Sequence, residues 1–171
     1  MTKQTINLYD EPDYSDFSPK DLWTEVLPNL WIGGTDDDDI LGRGEVEPRI
    51  TLENFDTVVT LHAWSNPADW GVKELRYAFH DGEVEDFDPV ELKFLVDAIF
   101  FDWQREKRVL VRCLAGLNRS ALVVTMFLMH IGYGVQEAID LLRGLRSKWV
   151  LHNENFENWL LEVAERDGKN E

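Results

Sequence analysis

The sequence predicts an α/β domain built on a central, largely parallel sheet. Two observations predict it. Thr57-Val58-Val59-Thr60-Leu61 and Val109-Leu110-Val111 are short runs rich in β-branched residues and without polar alternation, the pattern of strands buried on both faces. After and between them, apolar residues recur at helical spacing. Strands that alternate with helices favour parallel pairing.

Taken in order, residues 1–20 are polar and acidic, with Pro12 and Pro19, and are expected as an arm over the surface. Trp31-Ile32 followed by Gly33-Gly34 reads as a short strand and a turn. Asp36 to Asp39 are expected as a solvated loop, because four adjacent carboxylates cannot all converge on one cation. Residues 57–61 form the first buried strand, and Glu74 to Phe79 a second short one. Residues 81–88, DGEVEDFD, make an acidic loop. Val90, Leu92, Leu95, Val96, Ile99 and Phe100 predict a helix over 89–105. Residues 109–111 are the central strand. An apolar helix follows over Ser120 to Ile131, then amphipathic helices over Val135 to Leu145 and Asn153 to Val163. Residues 166–171 read as a polar tail, which leaves 21–165 as one folded domain.

Composition narrows the function. A chain of 171 residues, 44% hydrophobic and with seven Trp, fills a real core and is not a disordered segment. Its 17 basic and 33 acidic residues give a net charge of −16. Such a surface repels nucleic-acid backbones and anionic membranes, so neither is an expected partner. One cysteine rules out an intrachain disulfide and a cysteine-based zinc site. His62, His80, His130 and His152 show no metal-ligand spacing, so no metal is expected. The segment MTKQTINLYDEPDYSDFS lacks the apolar core of a signal peptide, and Ala121 to Val135 is too short to span a bilayer. A monomer in the reducing cytoplasm is the default expectation.

The stretch that carries chemistry is Arg108 to Val123, RVLVRCLAGLNRSALV. A buried strand leads to Cys113; five residues follow, and then Arg119 and Ser120 open a helix. A loop between a strand end and a helix N-terminus turns backbone N–H groups inward and makes an anion site. Gly116 allows a tight turn. Arg119 adds a planar fork that matches two phosphate oxygens. A thiol at the bottom of this nest loses its proton readily and lies beneath a bound phosphoryl group, placed for in-line attack. A lone cysteine is often only a small buried hydrophobe. Its place between an apolar strand and an apolar helix, with Gly116 inside the loop, favours the functional reading.

Cys113-Leu-Ala-Gly-Leu-Asn-Arg119-Ser120 resembles the phosphate-binding loop of the cysteine-dependent protein phosphatases, in particular the dual-specificity branch. The resemblance covers residues 27 to 163. Leu27-Pro28-Asn29-Leu30-Trp31-Ile32-Gly33 resembles the first strand of that branch, and Asn155-Phe156 with Leu160 its closing helix. The resemblance implies a sheet of four to five strands flanked by helices, and hydrolysis in two steps through a phosphocysteine, with no metal and no cofactor. It casts Cys113 as nucleophile, Arg119 as phosphate clamp and Ser120 as an aid to the departing thiolate. The backbone of Leu114, Ala115, Gly116, Leu117 and Asn118 would bind the non-bridging oxygens. It also implies an acid on the loop before the helix. Asp81, directly after a strand and followed by Gly82, is the first candidate; Asp86 is second, and Asp88, Glu83 and Glu85 are outsiders.

One residue departs from the family. Arg112 stands where a histidine usually precedes the cysteine and helps fix the loop. As a cation it favours the thiolate; otherwise it pairs with a nearby carboxylate. The loop positions Leu114, Ala115, Leu117 and Asn118 are not basic, which suits a singly phosphorylated side chain better than an inositol polyphosphate. Phosphotyrosine on a protein or peptide is the expected substrate, with phosphoserine and phosphothreonine as extensions. Trp64 and Trp70 are the candidates to flank it. The alternatives are a module that binds phosphorylated partners without turnover, a sulfur carrier of the rhodanese kind, and an RNA 5′-phosphatase.

Overall fold

The computed structural model describes residues 19–43 and 47–169. Most of the expected arm, with Tyr9 and Tyr14, lies outside the described residues. The strand expected over 27–33 is instead a hairpin. β1 (Trp23–Leu27) and β2 (Leu30–Gly33) pair antiparallel, with Trp23 opposite Gly33 and Leu27 opposite Leu30. Pro28 and Asn29 make the turn. Asn29 takes a φ of 66°, a left-handed conformation that asparagine tolerates better than most residues.

Three parallel strands complete the sheet: β3 (Thr57–Thr60), β4 (Lys73–Arg76) and β5 (Val109–Arg112). The order is β1-β2-β5-β3-β4, which puts β5 in the centre. β4 stops at Arg76, short of the expected Phe79. The chain leaves the sheet there, so that Phe79 packs on Phe87 with ring centroids 5.6 Å apart.

Val109, Leu110 and Val111 are fully buried. The strand's alternation divides them between two clusters. Val109 and Val111 join Ile32, Val59 and residues of all four helices; Leu110 joins Ile50, Phe55, Val58 and Val72. An unbroken apolar run is what a strand with core on both sides requires. Each such side chain contributes roughly 1.5–3 kcal/mol.

α1 (Pro89–Trp103) starts where Asp88 caps it, accepting a 2.9 Å bond from Val90 N, with Pro89 at the first position, where no donor is needed. α2 (Arg119–His130) buries an almost continuous run, Ser120 to Thr125 with Phe127 and Leu128, so it is the central helix. α3 (Val135–Leu145) lies over 135–145 as expected. α4 (Glu154–Gly168) is capped by Asn153 and runs past Val163, taking in Arg166, Asp167 and Gly168 from the expected tail. Among the described residues no helix is long and apolar enough to cross a membrane.

Candidate active site

β5 ends at Arg112, and the five peptides that follow are pinned from outside the loop. The carbonyl of Cys113 accepts from Thr35 Oγ1 at 2.8 Å, and that of Leu114 from Thr35 N at 2.8 Å. Those of Ala115 and Gly116 accept from Arg146 Nη2 and Nε at 3.2 and 2.7 Å. That of Leu117 accepts from Leu151 N at 2.8 Å. In a trans peptide the N–H points opposite to the C=O. Five outward carbonyls therefore turn the amides of Leu114 to Asn118 to the loop's inner side. Gly116 N donates to Cys113 Sγ at 3.2 Å. Among the described residues, the amides of Leu114, Ala115, Leu117 and Asn118 meet no protein acceptor.

Gly116 makes this path possible. Its φ is 70°, and a Cβ there would stand 2.6 Å from Gly33 O. A Cβ on Gly34 would likewise meet Leu114 O at 2.6 Å, so the end of β2 touches the loop backbone to backbone.

Arg119 and Ser120 open α2. Ser120 Oγ lies 3.3 Å from Cys113 Sγ. Arg119 Nη1 donates to Phe79 O at 3.0 Å, while its buried Nε has no partner among the described residues. A buried charged donor left unpaired is costly. An oxyanion over the thiol would satisfy it together with the free amides.

Arg146, at the end of α3, carries no sequence signal beyond its position after the last periodic residue. Besides two loop carbonyls, its guanidinium donates to Asp21 O, Leu22 O and Thr24 Oγ1. It thereby ties the loop to β1. Burial pushes it down to about 10, opposed by the nearby charges of Cys113 and Asp21.

Asp81 stands across a cleft of about 450 Å³ lined by His62, Trp64, Phe79, His80, Asp86 and Arg119. Its two oxygens accept from Asn153 Nδ2 at 2.8 Å and Asn118 Nδ2 at 2.9 Å. The resemblance implies a role for the Asn118 backbone alone; its side chain joins the loop to Asp81. Asn153 also donates to Gly82 O, which fixes the turn after Asp81. Buried Phe79 and Phe87 anchor this segment against Phe156 and Trp159 of α4. Asp86 reaches the cleft too, but its carboxylate closes a local turn by accepting from Glu83 N at 2.7 Å. Asp88 is committed to capping α1. Of the two tryptophans expected to flank a substrate, Trp64 lines the cleft, while Trp70 is 99% exposed and lies outside it.

One expectation is corrected here. Asp36 to Asp39 are not a wholly solvated loop: Asp39 is 2% exposed. Its Oδ2 accepts from Arg112 Nη1 at 2.9 Å. Of the two readings of Arg112, pairing with carboxylates is the one the structure shows. Its remaining donors go to Thr60 Oγ1, Asn66 O and Glu74 Oε2, away from Cys113. Burial pushes its guanidinium down, and the carboxylates of Asp39 and Glu74 oppose that. Burial is also the main reason His62 falls below the ordinary histidine value, followed by the charges of Arg119, Arg76 and Arg112.

The family model for the dual specificity phosphatase catalytic domain matches residues 51–166. The chain therefore belongs to that family, a class of phosphoric monoester hydrolases. It is 25% identical over 146 residues to protein 123R of Invertebrate iridescent virus 6, whose name proposes a tyrosine phosphatase; the match covers 80% of this chain and 93% of the viral one. It is 26% identical over 127 residues to dual specificity protein phosphatase 22 of Xenopus tropicalis, covering 72% of this chain and 56% of that protein. The fold superposes on human DUSP28 with a TM-score of 0.69 at 21% identity, over 86% of this chain and 99% of that one.

Proposed function

We propose that the protein hydrolyses phosphotyrosine in protein or peptide substrates, and phosphoserine and phosphothreonine by extension, through a phosphocysteine. One observation carries the reading: the loop that begins at Cys113 turns its amides inward, one of them onto the sulfur, and ends at Arg119, whose buried Nε has no partner among the described residues. Cys113 Sγ attacks phosphorus as the bond to the substrate oxygen breaks, and Asp81 gives that oxygen a proton. Water then attacks phosphorus and yields its proton to Asp81. The S–P bond breaks, with Ser120 Oγ donating to the departing sulfur. Arg119 and the amides of Leu114 to Asn118 hold the three equatorial oxygens throughout.

The cleft suits an aryl group. Trp64 and Phe79 supply its aromatic walls. No loop position is basic, so nothing in the loop rewards further phosphates. A cytoplasmic address fits a reaction that depends on a reduced thiol.

The test measures phosphate release from phosphotyrosyl peptides and from an aryl phosphate. Wild type turns over and Cys113→Ser does not. Tight phosphopeptide binding without release would overturn the reading in favour of a binding module. Turnover of an inositol phosphate, of an RNA 5′-phosphate or of thiosulfate alone would overturn the substrate class.

A further inference from the structure

Between Cys113 and the cleft runs a chain of hydrogen bonds that neither the family match nor the proposed mechanism uses. Thr35 Oγ1 donates to Cys113 O at 2.8 Å and lies 2.7 Å from Ser65 Oγ. Ser65 Oγ lies 3.1 Å from His62 Nδ1. Thr35 and Ser65 are both buried. Proton counting fixes every direction. A carbonyl only accepts, so the one hydroxyl proton of Thr35 goes to Cys113. Ser65 must then donate to Thr35, and with its own proton committed it must accept from His62. His62 is therefore the Nδ1–H tautomer, and the chain survives its protonation, because Nδ1 carries hydrogen in both states.

We propose that Thr35, backed by Ser65 and His62, is a positioning residue for Cys113 and does the loop-fixing that the residue before the cysteine, here Arg112, does not. The inference rests on the phosphatase reading. Thr35 grips two consecutive carbonyls, one through its side chain and one through its amide. Those carbonyls set the direction of the Leu114 and Ala115 amides, the first donors a bound phosphoryl group would meet. A non-proline substitution removes the side-chain grip and leaves the amide's in place.

The experiment compares Thr35→Val, which keeps the shape, with Thr35→Ser, which keeps the hydroxyl, and with Ser65→Ala. Three quantities are measured: kcat/KM on an aryl phosphate, the Kd of inorganic phosphate, and the ratio of Cys113 alkylation rates by iodoacetate and iodoacetamide. The ratio reads the inward amides, because only iodoacetate is an anion. Thr35→Val should weaken phosphate binding and lower kcat/KM by about tenfold each, the order a lost buried hydrogen bond gives, and should lower the ratio. Thr35→Ser should restore all three, and Ser65→Ala should fall between. Wild-type values of all three in a folded Thr35→Val protein would overturn the inference. Should Thr35→Val fail to fold, a wild-type ratio and phosphate affinity in Ser65→Ala would do so. Wild-type protein that releases no phosphate from an aryl phosphate sinks the phosphatase reading instead, a result distinct from either.

Discussion

Arg112 and Arg119 flank the same loop, yet their surroundings are opposite. Arg112 is 1% exposed and all three of its nitrogens are paired, two of them with carboxylates. Arg119 is partly exposed, faces a cleft and keeps one buried nitrogen without a partner among the described residues. The difference separates two uses of one side chain. A guanidinium whose nitrogens are all paired holds a structure together; one with a nitrogen in reserve is set to receive a ligand.

The comparison breaks first at Arg119. Arg119→Met should lower kcat/KM on an aryl phosphate by about 10³-fold, the scale of a lost oxyanion donor, with little change in Tm. A tenfold effect or less would leave Arg119 no special place. Arg112→Met should do the reverse. Removing one partner of a buried ionic cluster costs about 3–5 kcal/mol, because the other charges stay buried and unmatched. Adding Asp39→Leu should recover part of that, whereas independent sites would show additive losses in urea unfolding.

The strands and helices were legible because burial on two faces and helical periodicity are written in runs: Val109 to Val111, and Leu92 to Ile99. Cys113, Arg119 and Ser120 were legible because they sit together in a strand-loop-helix pattern. The residues that hold them were not. Thr35, Arg146 and Asn153 reach the loop and Asp81 from 30 to 78 positions away. Their contacts depend on tertiary approach, which no local spacing records. Asp39 misled for the same reason. Three acidic neighbours hid one aspartate whose partner lies 73 residues further on.

Asp81 sharpens the contrast, since it faces the same cleft as Arg119 while both of its oxygens are held by side-chain amides. Asp81→Asn should lower kcat by about 10²-fold on a phosphotyrosyl peptide and much less on an aryl phosphate with a more acidic leaving group. The better leaving group needs less help from a proton donor. An equal loss on both substrates would mean that Asp81 only positions Asn118 and Asn153.

The smallest effect comes from His62, which feels both arginines. Its folded-state value lies below the ordinary 6.5, through burial first and then the charges of Arg119, Arg76 and Arg112. Above pH 6.5 the ring is neutral folded or unfolded, and His62 adds nothing to the pH dependence. As pH falls below 6.5 the unfolded chain takes up the proton while the folded one resists, so stability declines until the folded value is reached. His62→Asn keeps a donor for Ser65 and removes the titration. Its stability should therefore fall less than that of wild type between pH 7 and 5.5 in urea unfolding. Parallel curves for the two proteins would show that neither burial nor the arginines lower the His62 value.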